Sequence, residues 1–174
     1  MSYFRQTVIQ GVTYEMDHLD PFTFPCIVDD AVYIVSIEFS NHCFTESRQP
    51  QHTPDFRYLH KSKAGDERAF SIERHTDSLE LPSFFRILGT STVYFTHHDN
   101  FFFMRNAQGD QYLVFFRAFK ATQKGVDVKI IVSSAYRKPN MTKWASPVQF
   151  STLIKSKARG RQLRAGQQMR IKRG

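Results

Sequence analysis

Between Thr92 and Arg137 the chain passes through four runs rich in aromatic and β-branched residues: Thr92–Thr96, Asn100–Arg105, Gln111–Lys120 and Asp127–Tyr136. They are separated by His97-His98-Asp99, by residues 106–110 and by residues 122–125, and the last two breaks contain Gly109 and Gly125. Breaks this short and this rich in turn residues make hairpins, so the segment is predicted to form a four-stranded antiparallel meander. Side chains alternate along a strand. In the last run Ile130, Val132, Ser134 and Tyr136 are therefore expected on one face, with Lys129, Ile131, Ser133 and Ala135 on the other.

A second strand pair is legible nearer the N-terminus. Residues 21–28 and 32–39 flank Asp29-Asp30, which suits a tight turn, and Tyr33, Val35, Ile37 and Phe39 form the expected core face. Residues 47–68 are polar, contain Pro50, Pro54 and Gly65, and read as a long loop. Ser78 is placed to cap a helix through residues 81–88, with Pro82 in the first turn and Gly89 as the stop. Leu81, Phe84, Phe85 and Leu88 would then share one apolar stripe. Residues 69–74 fit either a helix or a short strand. The fold class is α+β: an N-terminal β-hairpin, one or two short helices, the antiparallel meander and a basic C-terminal tail. At 174 residues, with 17 Phe and 7 Tyr to fill a core, residues 1–149 are expected to form a single domain.

The formal net charge of +8 is unevenly placed. From Phe150 onward there are eight cations and no acid: Lys155, Lys157, Arg159, Arg161, Arg164, Arg170, Lys172 and Arg173. The preceding residues carry 16 basic and 16 acidic groups and balance to zero. Residues 150–174 are read as a flexible, basic tail that opens with a short helix at most. Removal of residues 155–174 is expected to leave the fold intact. A segment of this charge suits the phosphate backbone of nucleic acid, RNA being favoured over DNA; a solubilising role, an anionic membrane or an acidic protein are the alternatives. No run approaches the ~20 apolar residues of a membrane span, and no secretory signal pattern opens the chain. Two cysteines, Cys26 and Cys43, make no disulfide framework, so a reducing cytoplasm is the expected location.

Glycine-rich nucleotide loops, the zincin helix motif, paired CxxC and the GxSxG elbow are all missing from the sequence, which removes most support for nucleotide-binding and common hydrolase classes. The candidates that remain are less specific. His97 and His98, beside Asp99, offer imidazoles suited to proton transfer near neutral pH, or simply a polar turn. His42-Cys43 together with those histidines has donors for zinc but not the usual spacing, so no metal and no cofactor are expected. The segment from Ser133 to Lys138 ends a strand with two hydroxyls, Tyr136, Arg137 and Lys138; with Arg105 and Arg117 on neighbouring strands it would cradle a phosphodiester, or stand as solvated charge at a strand end.

A helix followed by a four-stranded meander that ends in Val-Ser-Ser-Ala-Tyr-Arg (residues 132–137) resembles the small metal-independent ribonucleases of the barnase–EndoU–colicin–RelE group, including RelE-like and BrnT-like toxins. The resemblance covers residues 66–140. It implies His97 or His98 as base or acid, Arg105 and Arg117 as phosphate clamps, and Tyr136 as stacking or acid group, with Arg137 and Lys138 beside them. Lys155, Lys157, Arg159, Arg161 and Arg164 would add affinity for the nucleic acid. Whether the chain is an enzyme stays open on these residues. The other expectation is a non-catalytic module of a mobile-element or stress-related system, its sheet docking a protein partner and its tail docking nucleic acid.

Overall fold

The computed structural model describes residues 2–59, 67–97, 100–107, 110–138 and 146–163. The described residues make an α+β fold in which strand dominates. Strands β1 (Thr7–Ile9) and β2 (Val12–Tyr14) form a small hairpin, and β3 (Phe22–Val28) pairs with β4 (Ala31–Phe39) in a second. Strands β5 (Thr45–Ser47), β6 (Arg57–Leu59) and β7 (Glu67–Phe70) form a three-stranded sheet with β7 central. Helices α1 (Ile72–Ser78) and α2 (Leu81–Ile87) follow. Then come β8 (Thr92–His97), β9 (Asn100–Ala107), β10 (Asp110–Lys120) and β11 (Val128–Lys138), and finally β12 (Ser146–Gln149) and α3 (Phe150–Ala158).

The meander forms, with β8, β9, β10 and β11 pairing antiparallel in chain order, but it is embedded in a seven-stranded sheet of order β12-β8-β9-β10-β11-β4-β3; residues 98–99 and 108–109 of its first two turns lie outside the described residues. The N-terminal hairpin joins it through β4, which runs parallel to β11 with Val35 opposite Val128 and Phe39 opposite Val132. Asp127 fixes this junction from both sides: its amide donates to the Ile34 carbonyl at 2.8 Å, and its carboxylate accepts from the Ile34 amide at 2.7 Å. The β3–β4 turn has Asp29 at φ 48° and Asp30 at φ 63°. Two left-handed residues in a two-residue loop match the strand twist, and Asp tolerates that backbone region. Val35, Ile37 and Phe39 are buried, on the face the alternation predicts.

Three expectations are overturned. Residues 57–59, expected within a loop, are β6 and pair with β7. Ser78 is the last residue of α1 and not a cap for α2; Ser71 caps α1 instead, its hydroxyl accepting from the Arg74 amide. The largest correction concerns the C-terminal segment. Residues 150–158 are not part of a flexible tail: they form α3, with Phe150, Leu153, Ile154 and Lys157 buried. These positions are i, i+3, i+4 and i+7, one stripe of a helix.

Both ends of α3 have structural reasons. The Phe150 and Ser151 amides, which lack partners within the helix, donate to the carbonyls of Ser91 and Gly89. At the other end Gly160 adopts φ 69°, its amide donates to Lys157 and the Arg161 amide donates to Ser156, a Schellman stop. Phe116 packs on Phe85 of α2, on Phe150 of α3, and on Phe101 and Phe103 of β9, joining sheet and helices into one aromatic core.

Phe150→Ala is expected to cost about 3–5 kcal/mol and Leu153→Ala about 2–5 kcal/mol, the usual range for emptying a core site. Deleting residues 155–174 cuts α3 at its middle and should lower the melting temperature, which circular dichroism will read. Wild-type stability in those variants would place α3 outside the core.

Candidate functional site

The register of β10 with β11 controls which side chains can meet. Phe115 pairs with Ser134 but Phe116 pairs with Val132, so Ser133 is an extra residue, a β-bulge. Its hydroxyl donates to the Phe115 carbonyl at 3.2 Å. Beyond the bulge the alternation is reversed relative to the simple expectation. Val128, Ile130 and Val132 face the helical core, and so do Ala135 and Arg137, which pair with Val114 and Tyr112. Ser134 and Tyr136 are turned to the opposite face, away from the side of Ile130 and Val132.

On that face Tyr136 stacks on Phe115, with ring centroids 5.6 Å apart and planes at 22°. Phe115 continues to Phe102, and Phe102 stacks on Tyr94, so one aromatic ladder crosses four strands. The bulge opens a cleft of about 290 Å³ lined by Thr96, Asn100, Ser133, Ser134 and Tyr136, with Phe115 at its wall. The Arg74 guanidinium lies 5.2 Å from the Tyr136 ring centroid, close enough for a cation–π contact. It is held by a 2.7 Å hydrogen bond to the Thr45 carbonyl.

His97 is the last residue of β8, and its backbone pairs with that of Asn100, which lines the cleft. His98 lies outside the described residues, as does Arg164. Arg117 is exposed on the same face as Tyr136, 5.3 Å from the ring of Phe119. Arg105 faces the core, its guanidinium 5.5 Å from the Phe84 ring, and its Nε is buried without a hydrogen-bond partner among the described residues. Arg137 is engaged by Asp77 through two 2.7 Å hydrogen bonds. Lys138 is exposed at the strand end. The structure thus brings Tyr136, Arg117 and Asn100 to one face, with the backbone of His97 paired to Asn100, and turns Arg105 and Arg137 to the other.

The basic residues of α3 also divide. Lys157 is buried, its ammonium 5.7 Å from the Phe101 ring. Lys155 is paired with Asp29 of the β3–β4 turn. Arg159 and Arg161 are exposed and border a second cleft, of about 320 Å³, with Lys155, Thr152, Ser156 and Asp29. Sequence reasoning missed this cleft because it placed α3 in a tail. The signal was present: Thr152, Lys155, Ser156 and Arg159 recur at helical spacing opposite the apolar stripe.

Two further groups have shifted proton affinity. Cys43 is fully buried, and burial raises its thiol to about 12. Burial, and then the neighbouring His75, lower His18 to about 4. His18 Nε2 lies 2.8 Å from the Ser78 hydroxyl, and the His18 and His75 rings meet edge to face at 5.3 Å. Among the described residues no group of three or more His, Cys, Asp or Glu side chains is placed to hold a metal ion. Among them too, no helix is long and apolar enough to cross a membrane.

These features define a mixed-sheet α+β protein with a polar cleft at a β-bulge and a cationic helix face. A family model described as the YjaZ family matches residues 6–158, and the chain belongs to that family. The match ends at the last residue of α3, so the cationic segment from Arg159 onward lies beyond it. Searches of curated proteins and of solved structures return no match.

Asp77→Ala removes the carboxylate that grips the half-buried Arg137 guanidinium, with Glu73 remaining at 3.9 Å, and should cost about 2–4 kcal/mol in urea unfolding. A cost under 0.5 kcal/mol would show that the pair is solvent-screened. The His18 cluster sets a pH dependence. The unfolded imidazole takes up its proton near 6.5 and the folded one near 4, so stability is fully present above that upper value and declines as pH falls through the window. The melting temperature should drop by roughly 3 °C or more across it, beyond the drop seen in His18→Gln. Equal pH profiles for the two proteins would remove His18 as the cause.

Proposed function

We propose that this protein binds nucleic acid, RNA in preference to DNA, through the acid-free cationic segment that leaves the end of α3. One observation carries the reading. Helix α3 ends in the Schellman stop at Gly160, and exposed Arg159 and Arg161 begin a stretch that continues with Arg164, Arg170, Lys172 and Arg173 without one acidic residue. The rest of the chain is formally neutral up to α3, so phosphate attraction is concentrated at one end. Binding in this form is non-catalytic, as in a docking module of a mobile-element or stress-related system that also contacts a protein partner in the cytoplasm.

Lys157 is buried and Lys155 is paired, which leaves six of the eight C-terminal cations for phosphate contacts. Each contact releases counterions, so log affinity falls linearly with log salt. The expected slope is no steeper than about −4 on single-stranded RNA and about −5 on duplex DNA. Replacing Arg164, Arg170, Lys172 and Arg173 together by Gln should flatten it and weaken binding at least tenfold at about 50 mM salt. Unchanged affinity and slope in that variant would move the phosphate site off the segment beyond Arg161 and onto the folded body.

A second reading, a metal-independent toxin-like ribonuclease, is favoured by the bulge cleft. Tyr136, Ser133 and Ser134 face a space bordered by Asn100, the strand partner of His97. A 2′-hydroxyl attack needs a base, an acid and phosphate donors; His97, His98, Tyr136 and Arg117 are the residues for those roles. Incubation with mixed RNA in EDTA separates the readings. Cleavage that disappears in His97→Ala or Tyr136→Phe supports the enzyme, and intact RNA supports the binding module.

A further inference from the structure

Helix α3 has two faces of opposite chemistry. The face opposite its buried stripe carries Thr152, Lys155, Ser156 and Arg159 at i, i+3, i+4 and i+7. Arg161 joins them just past the helix end, and together they wall the 320 Å³ cleft. That volume is at the small end of ligand pockets, roughly 300–1,000 Å³. Two guanidinium forks, an ammonium and two hydroxyls supply hydrogen-bond donors suited to the oxygens of a phosphate. Facing them is a single acid, Asp29, whose carboxylate already pairs with Lys155.

Asp29 is informative because its turn does not need a carboxylate. At φ 48° the position favours Asn, Asp or Gly, and Asn meets the backbone demand equally. The Asp29 side chain is 73% exposed, and exposed ion pairs add little stability. Its carboxylate therefore sits against Lys155 with no requirement from the turn and little gain to the fold. Lys155, by hydrogen bond and by charge, holds the Asp29 carboxyl below its ordinary range, so it stays ionised and in place at neutral pH.

We propose that the cleft between α3 and the β3–β4 turn is a phosphate site for an RNA backbone, and that Asp29 is its built-in competitor, occupying Lys155 until a phosphate displaces it. This rests on the nucleic-acid reading above and adds to it a defined subsite on the folded body, separate from the cations beyond Arg161. An arriving phosphate exchanges one anionic partner of Lys155 for another and gains Arg159, Arg161 and the two hydroxyls. Asp29 thereby sets a threshold, so that weakly charged or single anions compete poorly and a polyanion wins.

Fluorescence anisotropy of the full chain with a labelled oligouridylate of about 12 nucleotides, at about 50 mM salt, tests this. Asp29→Asn keeps the turn and removes the competitor; it should tighten binding by about three- to tenfold. Lys155→Gln and Arg159→Gln should each weaken it by about the same factor, with circular dichroism checking that α3 is retained. Pyrophosphate should displace the oligonucleotide from Asp29→Asn at lower concentration than from wild type. If all three variants bind like wild type while the Arg164, Arg170, Lys172 and Arg173 variant loses binding, the cleft is no phosphate site and the nucleic-acid reading stands. If wild type binds no oligonucleotide, that reading fails, and pyrophosphate alone decides the cleft. A rise in melting temperature that Asp29→Asn enlarges and Arg159→Gln abolishes would keep it as a small-anion site. No rise in any variant would overturn it.

Discussion

Phe116 is the contact on which the arrangement turns. It sits in the middle of β10, and its ring meets Phe85 of α2, Phe150 of α3, and Phe101 and Phe103 of the next strand. A fully buried aromatic contributes a few kcal/mol of area alone, and ring pairs of this geometry add a further fraction each. More important is what the contact excludes. Two helices distant in sequence converge on one side chain of one strand, so a slip of β10 by a single residue would move Phe116 to the other face and unseat both. The register of the meander and the seating of α3 are one decision.

The bulge at Ser133 is where that decision meets the cleft. Up to Val132 the strand β11 obeys simple alternation, locked from one side by β10 and from the other by parallel β4 and the Asp127 bridge. Strand β4 ends at Phe39, opposite Val132, and the Ser40 amide bonds to the Val132 carbonyl. The bulge falls as that second partner runs out. Freed on one side, β11 takes in an extra residue, and the reversal sends Arg137 inward to Asp77 while Tyr136 turns outward beside Phe115. One inserted serine thus decides which of two adjacent residues is a half-buried ion-pair partner and which lines the bulge cleft.

Much of this architecture was legible. The meander and the Asp29–Asp30 hairpin arise from turn chemistry and from period-two patterns, which act locally. The bulge was not, because an extra residue costs nothing in composition and reverses only the residues beyond it. Ser78 has the residue type of a cap, yet its hydroxyl donates to the carbonyl of His75 and meets His18 across the fold. The strand at residues 57–59 is three residues long and depends on β7, a partner no local pattern announces. The packing of helix α3 into the core is hidden by its charge. Counting cations from Phe150 onward groups Lys155 and Lys157 with Arg170 and Arg173, although the first two belong to a packed helix.

That helix also explains why charge alone misjudges the site. Lys157 points its ammonium at Phe101 from the buried stripe, with its methylene stem covering apolar surface, so its cation serves packing. Lys155, two residues earlier, is on the hydroxyl face and meets Asp29. A helix turns about 100° per residue, so two residues carry the chain from one face to nearly the other. Among the cationic side chains of one short helix, position decides whether the charge is consumed by the fold like Lys157, paired with a carboxylate like Lys155, or exposed like Arg159. The core stripe beginning at Phe150 sets that rotation. Any change that lets α3 roll on the sheet would alter the cationic face as surely as replacing its arginines.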